Sequence, residues 1–320
     1  MPFTKYIIPS CINSLDINCF NSNAFVKEII IPKSVTSIGN YVFKKCDRLT
    51  SIILPKHLRT IGNEAFRQSG TTSMSIPKKV KQIGVRCFEG CLFTEMIIPE
   101  GVYELGSGCF ENNFRLTKIT LSPYIKTIES NVFANCTSLE SLTIPVGIQE
   151  IKSKAFYNCG IKSLTLPPTI TQIALDAFDT SSLEQLSQIG STEIQYEVSL
   201  FEAILFSKTN TKCQKIVFRK EDMKYIDDPL FSEVYCIYDQ AFENSTIQSL
   251  TLPSQLKEIR KFAFYNCKQL SVIVIPESIE MIDTTCFSSC KLHEIYLPKK
   301  LEELDIDFEG LLEDYYQFYY

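Results

Sequence analysis

The stretch AFYNCGIKSLTLP, Ala155 to Pro167, recurs as AFYNCKQLSVIVIP, Ala263 to Pro276. Neither copy holds a residue suited to catalysis, so the repetition calls for a structural cause. Working outward, an aliphatic residue followed by proline recurs at Pro9, Pro32, Pro55, Pro77, Pro99, Pro145, Pro167, Pro253, Pro276 and Pro298. Ser122 fills one further slot, with its proline slipped to Pro123. Successive slots lie 22 or 23 residues apart, except Pro167 and Pro253, which are 86 apart. A period of that length belongs to solenoids, in which each coil buries its apolar face on the next.

Other positions keep step. Eleven residues after the slot stands phenylalanine in ten coils, from Phe20 and Phe43 to Phe264 and Phe287; Glu309 breaks the row. Three and six residues after it are aliphatic pairs such as Val35 and Ile38, or Ile148 and Ile151. Just before the proline, side chains alternate: Leu142 and Ile144 flank Thr143, and Ile295 and Leu297 flank Tyr296. Alternation of period two predicts a short strand with the flanking pair inward and the middle residue outward. Proline ends that strand, because it donates no ladder hydrogen bond. The Val-x-x-Ile segment reads as a second short extended edge or turn. Gly39, Gly62, Gly84 and Gly106 close it in the early coils, which suggests positive φ there.

The expected fold class is therefore a repeat solenoid: a right-handed leucine-rich-repeat coil of 22–23 residues, with a continuous parallel β-sheet, short turns opposite and little helix. One continuous solenoid of about twelve coils is expected over residues 1–310. In the long interval, Val234, Ile237, Ala241 and Phe242 fit a degenerate coil. Before it, Glu197 to Phe218 reads as strand, polar turn (Ser207 to Lys212) and strand, a β-hairpin insertion near residues 195–220. The tail LLEDYYQFYY, residues 311–320, leaves the repeat and is expected to cap the last coil.

The stretch IIIPKSVTSIGNYVFKKCDRL, Ile29 to Leu49, resembles the BspA-like leucine-rich repeat family, and the resemblance extends over nearly the whole chain, from about Tyr6 to Leu304. The inserted LFSKTNTKCQKIVF also looks like a hairpin often carried by that family. The resemblance implies a binding protein, a surface antigen or adhesion molecule of the type found in bacteria and parasitic protists.

Composition narrows the partners. The chain has 320 residues, 45% of them hydrophobic, and a formal charge of −5. A mildly acidic chain without a basic stretch points away from nucleic acid and anionic membrane. No run reaches the roughly 18 apolar residues of a membrane span. The first residues hold no cationic segment followed by an apolar core, so no secretory signal is expected. Location is thus cytoplasmic on the residues and cell-surface on the resemblance.

Ten of the 13 cysteines occupy two repeat slots. Ten residues after the proline slot, cysteine alternates with alanine and valine; fourteen after it, with serine and asparagine. Small buried fillers account for this best. Cys87-x-x-x-Cys91 and Cys286-x-x-x-Cys290 lack the further ligands of a tetrahedral zinc site. Cys136 and Cys159, and Cys267 and Cys290, fall on adjacent coils, where stacked thiols approach disulfide distance and oxidation after export is the alternative to a filler role. Only His57 and His293 are available as imidazoles. With no nucleophile motif and no phosphate loop, the chain is read as no enzyme, with no catalytic, metal or cofactor-binding residue. Asn135 and Asn244 open Asn-x-Thr motifs, which would be glycosylation acceptors in an exported chain.

The outward row of the pre-proline strand is the main functional candidate. It runs Ile30, Ile53, Ser75, Ile97, Thr120, Thr143 and Thr165, then Thr251, Val274 and Tyr296, with Ile7 ahead of it. An exposed aliphatic strip on a repeat surface suits a protein partner. A monomeric, non-enzymatic protein-binding solenoid is expected. An intracellular scaffold with an endogenous partner is the alternative.

Overall fold

The computed structural model describes residues 4–50, 52–304 and 317–319. Its chain forms two compact units, Met1–Thr192 and Glu193–Tyr320, each built of parallel strands with a repeat of 22 or 23 residues.

In the first unit each coil contributes to two ladders. The Val-x-x-Ile segment makes the longer one: Ser14–Leu15, Ser37–Ile38, Thr60–Ile61, Gln82–Ile83 and Glu104–Leu105 pair in parallel, in order. Thr127–Ile128, Glu150–Ile151 and Gln172–Ile173 form a further three-stranded ladder. The pre-proline strands pair in shorter groups: Lys5–Ile7 with Glu28–Ile30, Glu95–Ile97 with Lys118–Thr120, and Ser163–Leu166 with Gln185–Gln188. Their alternation is as the spacing predicts: Ile29 and Ile31 are buried and Ile30 is exposed. A slip of one residue would turn every apolar side chain to water, so the register is strongly set.

The third side of the coil is a run of turns held by its own ladder. Phe43 N–H donates to the Ala65 carbonyl at 2.7 Å, and Phe133 N–H to that of Ala155 at 2.9 Å, each on the next coil. In most coils two positions take positive φ to aim these groups, nine and thirteen residues after the proline slot. Examples are Tyr41 at 60° and Lys45 at 55°, then Asn131 at 59° and Asn135 at 61°. Non-glycine residues resist this conformation by roughly 1–2 kcal/mol, so the inter-coil hydrogen bonds must offset a recurring strain. Inside the turns the phenylalanines stack, with ring centroids 5.1 Å apart for Phe43 and Phe66 and 6.1 Å for Phe110 and Phe133.

Gly39, Gly62, Gly84 and Gly106 do not take positive φ; in this unit only Gly90, Gly108 and Gly190 do among the glycines. Close approach of coils explains them instead. A Cβ on Gly84 would lie 2.5 Å from the Asn63 nitrogen and from the Gly62 carbonyl carbon.

The second unit opens with strand Glu193–Ser199, helix Leu200–Ser207 and strand Lys212–Phe218. The two strands are parallel, so the expected hairpin is overturned: the segment is a β-α-β crossover. The reason is local. Ser199 Oγ accepts from Glu202 N–H at 3.2 Å, and Glu202 Oε2 accepts from Ser199 N–H at 2.8 Å. This reciprocal cap starts a helix that buries Leu200, Ala203 and Phe206. Strand Val234–Ile237 follows, then Glu258–Ile259 and Met281–Ile282, in one five-stranded parallel sheet. The degenerate coil read at Val234 to Phe242 is therefore present, with Ala241 and Phe242 buried. Phe218, Phe242, Phe264 and Phe287 stack at centroid spacings of 4.9, 4.8 and 5.1 Å. Of the aromatic tail, residues 311–316 and 320 lie outside the described residues. Gln317–Tyr319 pairs in parallel with Glu294–Pro298.

Candidate binding face and its relatives

The period-two strand leaves its middle side chain in water wherever no second layer covers it. In the first unit Ile7, Ile30, Ile53 and Ile97 are 69%, 43%, 84% and 69% exposed. Ladder pairing sets Ile7 beside Ile30, and Ile30 beside Ile53. Ser75, Thr120, Thr143 and Thr165 are exposed at the equivalent positions, and Ile97 pairs with Thr120. The strand is not formed at Ser75, so it separates Ile53 from Ile97. Lys5 and Glu28 make an ion pair of 2.8 Å at the edge of the row. Such exposed pairs add little stability. A depression beside the row is lined by Lys27, Glu28, Ile30 and Ile53. In the second unit Thr251 and Val274 are exposed, and Tyr296 is half-buried, donating its hydroxyl to Glu294 at 2.7 Å.

The turn side carries the polar groups. Asn135 Nδ2 donates to Asn112 Oδ1 and its Oδ1 accepts from Asn158 Nδ2, both at 2.9 Å. Asn266 donates likewise to Asn244 at 2.6 Å. Both Asn-x-Thr asparagines thus sit in amide ladders at a positive-φ slot. Asparagine tolerates that backbone better than most residues. Sequence reading passed over this ladder because the shared slot also holds Ser22, Lys45, Gln68 and Thr180.

Alongside runs a chain of charge. Lys44 reaches Glu64 at 2.7 Å, Arg67 reaches Glu64 and Glu89 at 2.9 Å, and Arg86 lies 3.7 Å from Glu111. Burial pushes the Glu64 carboxyl up, but Lys44 and Arg67 outweigh it and hold it below the usual range. Glu111 is pushed up by burial and by Glu89.

The cysteines fourteen residues after the proline slot are more than fillers. The thiols of Cys46, Cys91, Cys136 and Cys267 donate to the carbonyls of Phe20, Phe66, Phe110 and Phe242, each on the preceding coil, at 3.0 to 3.2 Å. Burial pushes the thiols of Cys46, Cys91 and Cys159 up to about 11. They are inert at neutral pH. Asn113 occupies the same slot with its amide buried and without a hydrogen-bond partner. Both histidines are exposed, and no three His, Cys, Asp or Glu side chains converge among the described residues.

In the second unit the crossover buries Glu202, whose Oε1 has no partner. Desolvation raises this carboxyl to about 8, against the favourable Ser199 N–H and Arg219 charge. No helix among the described residues is long and apolar enough to cross a membrane.

Parallel coils of 22 or 23 residues, a phenylalanine stack and an exposed strand row define a leucine-rich-repeat solenoid. The BspA type leucine-rich repeat region matches residues 1–71, 59–184 and 187–308, and the chain belongs to that family. A leucine-rich repeat protein from Bacteroides ovatus is 24% identical, covering 99% of this chain and 92% of its own, with a TM-score of 0.58. Another, from Eubacterium ventriosum, is 21% identical over 90% of this chain and 83% of its own, with a TM-score of 0.55. Both likenesses concern the fold. No curated protein matches the sequence.

Proposed function

We propose that the chain is a non-enzymatic protein-binding solenoid that works at the cell surface. The binding row of the first unit is Ile30, Ile53, Ser75, Ile97, Thr120, Thr143 and Thr165; Thr251, Val274 and Tyr296 are the equivalent positions within the second unit, taken by itself. The observation that carries this reading is the exposure of Ile53, Ile97 and Ile30, each held in a parallel pairing with a neighbouring coil. Removing apolar surface from water contributes roughly 25 cal/mol per Å². A row fixed by a ladder loses little entropy when it docks. Threonine beyond it supplies hydroxyls for a polar rim.

A second reading is favoured by a different observation. The thirteen cysteines are odd in number and ten of them fill two repeat slots as small side chains, which suits a reducing compartment. On that reading the same row binds an endogenous partner inside the cell.

Surface biotinylation of intact cells followed by cross-linking tests both. Labelling together with a cross-linked protein that is lost in I30D/I53D/I97D supports the surface reading. Cross-linking without labelling moves the row to an intracellular partner. Equal cross-linking of the folded triple variant and the unaltered chain removes the row from the account.

A further inference from the structure

We infer that Cys267 and Cys290 form a reactive dithiol that a low-molecular-weight disulfide converts into a covalent staple between two successive coils. The pair stands fourteen residues after Pro253 and Pro276. Their coils are in register: Phe264 N–H donates to Cys286 at 2.8 Å and Asn266 N–H to Ser288 at 3.0 Å. The Phe264 and Phe287 rings stack at 5.1 Å. Successive coils are thus separated by about the 4.8 Å of a ladder, inside the 4.4–6.8 Å Cα range that a disulfide spans. The two thiols bond to carbonyls one coil apart, Cys267 to Phe242 and Cys290 to Phe264.

What distinguishes this pair is access. Cys267 is fully buried, but Cys290 is half-buried and reaches solvent. The other adjacent-coil pairs, Cys87 with Cys109 and Cys136 with Cys159, have both members buried. Thiol exchange needs a thiolate that a disulfide can approach. Turned from the Phe242 carbonyl, the S–H of Cys267 can donate to an ionised Cys290, which increases the acidity of Cys290, whereas burial suppresses ionisation of Cys87, Cys109 and Cys136.

The chemistry balances in two exchanges. The Cys290 thiolate attacks one sulfur of the small disulfide, forming a mixed disulfide and releasing one thiolate. Cys267 gives up its proton and attacks the Cys290 sulfur, forming the staple and expelling the second thiolate. The two cysteines lose two electrons, and the small disulfide gains them. The two thiolates take up the two protons. The thiols leave their present acceptors, the Phe242 carbonyl at 3.0 Å and the Phe264 carbonyl at 2.9 Å, by rotation about χ1.

The test incubates the full folded chain with oxidised glutathione, blocks free thiols and maps peptides by mass. The expected product links Cys267 to Cys290, lacks two hydrogens and carries no glutathione. It forms at least about tenfold faster than any link at Cys136–Cys159, which must wait for local opening. C267S should trap one glutathione on Cys290, and C290S should leave Cys267 a free thiol. The inference is overturned if wild-type Cys290 retains glutathione beside a free Cys267. It is equally overturned if both stay reduced while exposed Cys11 and Cys19 are modified.

Discussion

The thiol of Cys136 donates to the carbonyl of Phe110, 3.2 Å away on the preceding coil. The same bond recurs from Cys46 to Phe20 and from Cys91 to Phe66. Each therefore fastens one coil to the one before it. Replacing Cys136 by serine keeps a donor, and replacing it by valine removes one. C136V is expected to cost about 1–2 kcal/mol more than C136S, the penalty for leaving a buried acceptor short of a partner. Urea unfolding of both variants measures the difference.

Asn113 occupies that slot with an unpartnered buried amide. N113C should restore the repeat's own solution and raise stability by about 1–2 kcal/mol. The midpoint of urea unfolding should move upward with an unchanged slope.

The phenylalanine stack predicts a graded response. Phe133 is fully buried between Phe110 and Phe156, with centroids at 6.1 and 5.5 Å. F133A should cost about 3–5 kcal/mol, whereas F133L, which nearly fills the same space, should cost much less. Thermal unfolding of the two variants checks the order.

At Gly84 the space between coils is already full, with Asn63 and Gly62 backbone atoms 2.5 Å from any Cβ. G84A should therefore destabilise by more than the usual small gain from replacing glycine by alanine. Its sign in a denaturant titration separates close approach from backbone freedom as the cause.

Glu202 gives the second unit a pH dependence. Its carboxyl is raised from 4.5 to about 8 by burial. Between those values the folded chain holds a proton that the unfolded chain has released. The stability that Glu202 contributes is then fully present below about 4.5 and is lost as pH rises toward about 8, with a slope of up to about 1.4 kcal/mol per pH unit. E202Q should flatten that part of the profile, measured by unfolding at a series of pH values.

The elements that sequence alone made legible are those whose cause is local or periodic. Alternation placed Ile30 and Ile53 outward and Ile29 and Ile52 inward, as observed. The phenylalanine spacing marked the stack, apart from Phe218, which stands outside the period. The crossover was misread because Val198 to Phe206 mixes β-branched and aromatic residues that suit a strand. The capping pair Ser199 and Glu202 carried the decisive signal three residues apart. The positive-φ slots were hidden for another reason. Tyr41, Glu64 and Phe262 share no chemistry, and hydrogen bonds to the next coil impose their conformation. The thiol donors were hidden likewise, because their acceptors lie more than twenty residues earlier.

The central claim, that the exposed row binds protein, is tested most directly by a photoreactive side chain at position 53, where Ile53 is 84% exposed. A matching probe at exposed Lys154, on the turn side, is the control. Irradiation in cells is predicted to give a discrete protein adduct from position 53 and none of that mass from position 154. Identical adducts from both positions, or none from position 53, would contradict the account.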